Sequence, residues 1–156
     1  MTDRSLLQNY PKVYDGKYAE IYDMSAEIPG VAFAFWKGFF RLSDPEFISD
    51  LLWSVQYIKD SQLKVYISDH SYLQIVTPDV LDWVHQNWYA PAVKNGLIAE
   101  VSIDATNLFA QITLEKMLDE KKTGQMMTPK VKDLEHGKEL TLQILERSEK
   151  PKEITI

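Results

Sequence analysis

Hydrophobic and polar positions along this chain switch between period 2 and period 3.6, and the switches fall at turn or capping signals. Lys17 to Asp23 alternates modestly and predicts an outer strand. Val31-Ala-Phe-Ala-Phe-Trp36 is apolar on both period-2 faces and predicts an interior strand covered on both sides. Ile28-Pro29-Gly30 between them is turn chemistry, so the two strands are expected to pair as an antiparallel hairpin. Ser43, with Glu46 three residues later, reads as a capping box, and Asp44-Pro45 suits a first helical turn. The spacing predicts a helix from there to about Asp60, with Ile48, Leu51, Leu52, Val55 and Ile58 inward. Trp53 and Tyr57 form a second aromatic pair one turn apart.

The next forty residues read as one crossover unit. Leu63 to Ser68 is a β-rich run, Asp69-His70-Ser71 a polar break, and Thr77-Pro78-Asp79 a helix start. Val80, Leu81, Val84, Trp88 and Ala92 form the inward stripe, and Pro91 predicts a kink or break near Asn87 to Ala90. Asn95-Gly96 supplies a left-handed helix end before the strand from Leu97 to Ile103. Two strands joined through a helix are normally parallel neighbours in one sheet. Beyond them come a polar turn, Asp104 to Asn107, and a helix from Leu108 to Lys122 with an interruption near Thr113. Gly124 to Val131 is an edge strand or a loop, and Asp133 to Glu146 a last helix. The pattern predicts a single α/β domain over residues 10–148, a mixed β-sheet with packed helices in the order β-β-α-β-α-β-α. Residues 149–156 read as a frayed charged tail.

The 156 residues suffice for one core, and 45% hydrophobic with 26% charged residues is ordinary for a folded domain. Seventeen basic against 23 acidic residues leave a formal charge of −6. That argues against a nucleic-acid partner, because no basic stripe offsets the repulsion from phosphates. The absence of cysteine excludes disulfides, thiolate metal sites and cysteine nucleophiles. Met1-Thr-Asp-Arg-Ser leads into no apolar signal core, and no run approaches the roughly 20 apolar residues of a membrane span. A cytoplasmic location is the expectation.

Catalytic motifs are thin. Ser61-Gln-Leu-Lys64 and Lys122-Thr123-Gly124 match fragments of penicillin-binding chemistry, but Ser61 precedes a strand and the S-D-N element is missing. Of the three histidines, His85 and His136 fall on predicted helices, and only His70 falls at a strand end. Polar loops at the carboxyl ends of parallel strands are where open α/β sheets bind ligands, so Asp69, His70 and Ser71 are contact candidates. A plain turn capped by Asp69 is the other reading. The same topology brings Asp104, Thr106 and Asn107 beside them. Two carboxylates and one histidine make a poor metal set, so neither metal nor cofactor is expected. Trp83 and Trp88 are five apart and cannot share a helical face. Trp83 and Tyr89 therefore mark either a broad buried helix or an exposed aromatic contact patch.

Val65-Tyr-Ile-Ser-Asp-His70, Thr77-Pro-Asp-Val-Leu-Asp-Trp83, Asn87-Trp-Tyr-Ala-Pro91 and Gly96-Leu-Ile-Ala-Glu-Val101 resemble the bacterial STAS/SEC14-like proteins, also called SpoIIAA-like. The resemblance spans roughly Tyr18 to Asp119. It implies a mixed sheet with packed helices and no established activity. STAS-class antagonists carry a phosphorylated serine, usually within D-S-S-G; Ser71 follows Asp69 in an analogous place, but no glycine follows it. The SEC14 side of the resemblance implies an apolar ligand held beneath a helix.

The first functional reading is a non-enzymatic protein-interaction or signalling domain, with the loops at Asp69 to Ser71 and Asp104 to Asn107 as its contact edge. A small apolar or lipid-like ligand between sheet and helices is the second. An enzyme using Asp69 and His70 as an acid/base pair is the third. The oligomeric state is not legible in the sequence.

Overall fold

A computed structural model describes residues 2–124 and 126–149. A 3₁₀ turn at Arg4–Leu7 leads into β1 (Lys12–Asp15), β2 (Ala19–Asp23) and β3 (Val31–Phe40). Helix α1 (Pro45–Ser61) and β4 (Val65–Val76) follow, then α2 (Pro78–Val84), a π-helical segment (His85–Tyr89) and α3 (Ala90–Lys94). The chain continues through β5 (Ala99–Ile103), α4 (Leu108–Met117), β6 (Lys130–Val131) and α5 (Leu134–Glu149). The strands lie in sequence order; β1, β2 and β3 pair antiparallel, and β3 to β6 are parallel. The α/β class, the mixed sheet and the hairpin are as expected. Strand β1 is an addition to the expected order, and of the segment expected as an edge strand or a loop, Lys130–Val131 forms a short edge strand.

Both faces of the sheet are buried. On one, Trp36, Tyr66 and the alanines of β3 pack under α1 and the α2 to α3 region with Phe47, Ile58, Val84 and Trp88. On the other, Phe33, Phe35, Ile67, Val101 and Ile103 pack with Leu134 and Ile144 of α5. Trp88 thus belongs to the core opposite α5. Gly137 lets α5 approach the sheet, since a Cβ there would lie 3.3 Å from the Ile67 side chain.

Helix α1 is capped by Asp44, whose carboxylate accepts from the Glu46 N–H at 3.0 Å, and not by Ser43. The residue before a proline is pushed into extended conformation, which makes Asp44 the cap once Pro45 takes the first helical position. The inward face of α1 is Phe47, Asp50, Leu51, Ser54 and Ile58, whereas Leu52 is 47% exposed. Polar residues go inside here because they have partners. Asp50 accepts from the Tyr14 hydroxyl and the Tyr18 N–H, and Ser54 accepts from Trp88 Nε1 at 2.8 Å. Helix α4 runs unbroken past Thr113, whose hydroxyl donates back to Phe109 O, and stops at Met117. Of the tail expected over 149–156, only Glu149 is among the described residues, and it ends α5.

The break expected near Pro91 takes the form of a π turn in which the Ala90 N–H bonds to His85 O. Widening the helix by one residue accommodates a proline that has no N–H and would crowd the preceding turn. Gly96 ends α3 at φ +100°, with the Leu97 N–H on Ala92 O and the Gly96 N–H on Val93 O. A Cβ there would meet only Lys64 Nζ, at 3.5 Å, so the requirement for glycine is conformational. Gly96→Ala is expected to cost about 1 kcal/mol in a urea titration. An unchanged midpoint would show that the α3 end adapts without strain.

Candidate functional site

Asp69, His70 and Ser71 do not form a loop. Strand β4 continues through them to Val76, with one extra residue against β3 between Asp69 and Tyr72, and all three are buried. Successive side chains of a strand point to opposite faces, so Asp69, beside Ile67 and Phe35, and His70, beside Tyr66 and Ser68, face different cores before the register shifts.

On the α1 side, Ser68 sits opposite Ser102 and Tyr66 opposite Glu100. The Ser68 hydroxyl donates to Glu100 Oε2 at 2.7 Å, and the Tyr89 hydroxyl donates to Oε1 at 2.6 Å. His70 Nδ1 lies 3.0 Å from Ser102 Oγ and 3.3 Å from Ile103 O. Burial pushes the His70 imidazole below its ordinary range, outweighing the opposing pull of Glu100. Burial, reinforced by Glu100, pushes the Tyr89 hydroxyl well up. Trp36, Phe40, His70, Trp88, Tyr89 and Glu100 are among the walls of a cavity of about 20 Å³, room for one water. The Trp36 ring N–H is buried without a protein acceptor. The arrangement has acids, bases and hydroxyls, yet Ser68 and Ser102 are fully buried, and the cavity beside His70 and Glu100 has room for about one water.

On the α5 side, Asp69 accepts from the Ser71 N–H at 2.8 Å, the Ser71 hydroxyl at 2.5 Å and the Thr2 N–H at 3.2 Å. Asp69 and His70 thus face apart and form no acid/base pair. Nearby, the Arg4 guanidinium covers the Phe35 ring at 4.4 Å and bonds to Glu20. Burial opposes ionisation of Glu20, but hydrogen bonds from Arg4, Lys37 and Lys12 prevail and hold it at about 2.

The Asp104 to Asn107 turn does lie beside this part of β4, as the topology implied. Its side chains close the strand edge: Thr106 Oγ1 donates to Ser71 O, and Asn107 Nδ2 donates to Gln74 O, both at 2.9 Å. Asn107 Oδ1 also caps α4 through the Ala110 N–H, and Asp104 lies 3.6 Å from Lys130. Trp83 is half-buried against Phe47, with ring centroids 5.8 Å apart, and Tyr89 is buried. Together they make no exposed aromatic patch. Among the described residues no three His, Asp or Glu side chains are placed to hold a metal, and no helix is long and apolar enough to cross a membrane.

The open apolar surface lies elsewhere. Phe109 is 77% and Leu108 66% exposed, and Ile112 and Ile75 are about half exposed. With Val76 and Thr113, three of these residues line a groove of about 440 Å³ between α4 and the end of β4. The sequence signal was Leu108, Phe109, Ala110, Ile112 and Leu114, apolar around the whole circumference of two turns. The sheet can cover only one side of such a helix. Comparison with family models, with curated proteins and with solved structures returns no match for this chain.

Proposed function

We propose that this chain is a non-enzymatic cytoplasmic protein-contact domain of the STAS/SEC14-like, SpoIIAA-like kind, and that its contact surface is the groove between α4 and the end of β4. The observation that carries the reading is the clustering of Leu108, Phe109, Ile112 and Ile75 in one open apolar patch. Contiguous exposed patches of large side chains mark interaction sites, and aromatic anchors dominate their energetics. Asp69, His70 and Ser71 serve the reading from within, by satisfying one another's and their neighbours' polar groups where β4 shifts register against β3, and Thr106 and Asn107 serve it by fastening the start of α4 to that strand. An apolar ligand between sheet and helices has less support, because Trp36, Tyr66 and Trp88 fill that space to about one water volume.

A photo-crosslinking side chain placed at Ile112 and expressed in the native host tests the proposal. The expected result is a discrete protein adduct from Ile112, absent when the same group is placed at Leu142, which is 54% exposed on α5. Equal labelling from both positions would sink the contact reading.

A further inference from the structure

We infer that the occupant of the α4 groove is a second copy of this chain, seated by antiparallel pairing of the two α4 helices about a two-fold axis. The pairing rests on the contact reading of the same groove and gives that contact a partner.

A two-fold interface uses the same patch on both copies, so the patch must carry both the projection and the recess that receives it. This one does. Leu108 and Phe109 project from the first turn of α4, and Phe109 also walls the adjoining recess together with Ile75, Val76, Ile112 and Thr113. With Phe109 of one copy set against Ile112 of the other, each Phe109 enters the opposing recess and the apolar halves of the helices cover each other.

Charge supports the same occupant. The exposed residues that follow on α4 are Glu115 and Lys116, side by side and of opposite sign. Antiparallel overlap centred between Phe109 and Ile112 carries Lys116 of each copy toward the Asp104 to Thr106 turn ahead of the opposing helix. Asp104 there is partly exposed: one carboxylate oxygen accepts from the Ala105 N–H at 2.9 Å, and the other lies 3.6 Å from Lys130 and faces outward to receive Lys116. A helix face neutral in sum lets two chains of net charge −6 meet without concentrating their repulsion at the contact. That balance gives an anionic membrane surface nothing to attract, since binding there needs clustered Lys or Arg.

The patch is short. Ten helical residues extend about 15 Å, so the buried area falls at the low end of specific interfaces, below about 1,200 Å². The pairing is therefore expected to be weak and reversible.

Sedimentation equilibrium of the purified chain over ~1 µM to ~1 mM is the test. The wild-type average mass is expected to rise toward twice that of the chain. Phe109→Asp is expected to stay monomeric; aspartate suits the first turn of a helix, so circular dichroism should remain native. Leu142→Asp, an equally drastic change on α5, is expected to dimerise as the wild type does. A wild-type chain that is monomeric throughout overturns the pairing, and so does a dimer that survives Phe109→Asp. A monomeric chain that still crosslinks from Ile112 to a different protein overturns self-pairing alone and leaves the contact reading standing.

Discussion

Replacing Phe33 by alanine is expected to lower the unfolding free energy by about 3–5 kcal/mol, a large part of the 5–15 kcal/mol typical of a whole domain. Phe33 is fully buried in β3, a strand flanked by β2 and β4, and its ring meets Phe35 edge-on at 4.8 Å and Tyr22 at 6.4 Å. Backbone pairing on both sides limits how far the site can collapse into the space left behind, and that residual space sets the cost. Urea unfolding followed by circular dichroism checks the value. A loss under about 1 kcal/mol would mean that β3 does not occupy the centre of the α5-side core.

What was legible in the sequence was whatever is decided locally. The apolar run Val31 to Trp36, the turn at Pro29-Gly30 and the stop at Asn95-Gly96 each have a short-range cause, and each appears in the fold. Of the expected stripe on α1, Leu51 and Ile58 are buried and Ile48 and Val55 pack beside them, but Leu52 is exposed and Asp50 and Ser54 lie inside, because hydrophobicity alone does not reveal that these two find partners in Tyr14, Tyr18 and Trp88. Those partners lie about thirty residues or more away in the chain.

The same cause explains the misreading of Asp69 to Ser71. A polar triplet at the end of a β-rich run suggests water, yet here Asp69 is satisfied by Thr2 and Ser71, and His70 by Ser102 and Ile103. Once those groups are supplied, burying the triplet carries no penalty for unpaired polar atoms, and β4 continues for five more residues. The neighbourhood of Asp104 to Asn107 was legible from topology. What it does there, closing a strand edge and capping α4, depends on the length of β4. The open surface carries no polar signature: the exposed side of α4 is marked by an excess of apolar residues.

Acid titration is expected to reveal the buried histidine directly. Burial disfavours the His70 imidazolium, so the folded chain holds that proton less tightly than the unfolded chain, whose histidine titrates near 6.5. Between the depressed folded value and 6.5 the unfolded state binds more protons. Stability is therefore complete above pH 6.5 and declines as the pH falls below it, by up to about 1.4 kcal/mol per pH unit, until the folded form also protonates. A second decline, shared by Glu20 and Asp44, begins as the pH passes below 4.5 and runs toward about 2, as protonation removes the pairing of Glu20 with Arg4, Lys12 and Lys37 and that of Asp44 with Tyr18 and Lys17. The two limbs separate in His70→Gln, whose amide can still donate to Ile103 O but takes up no proton. Urea midpoints for that variant should be nearly flat from pH 7 to 5 and fall only on the carboxylate limb of Glu20 and Asp44. A wild-type profile equally flat over that interval would show that water reaches His70 and that the core between β4, β5 and the π segment opens around it.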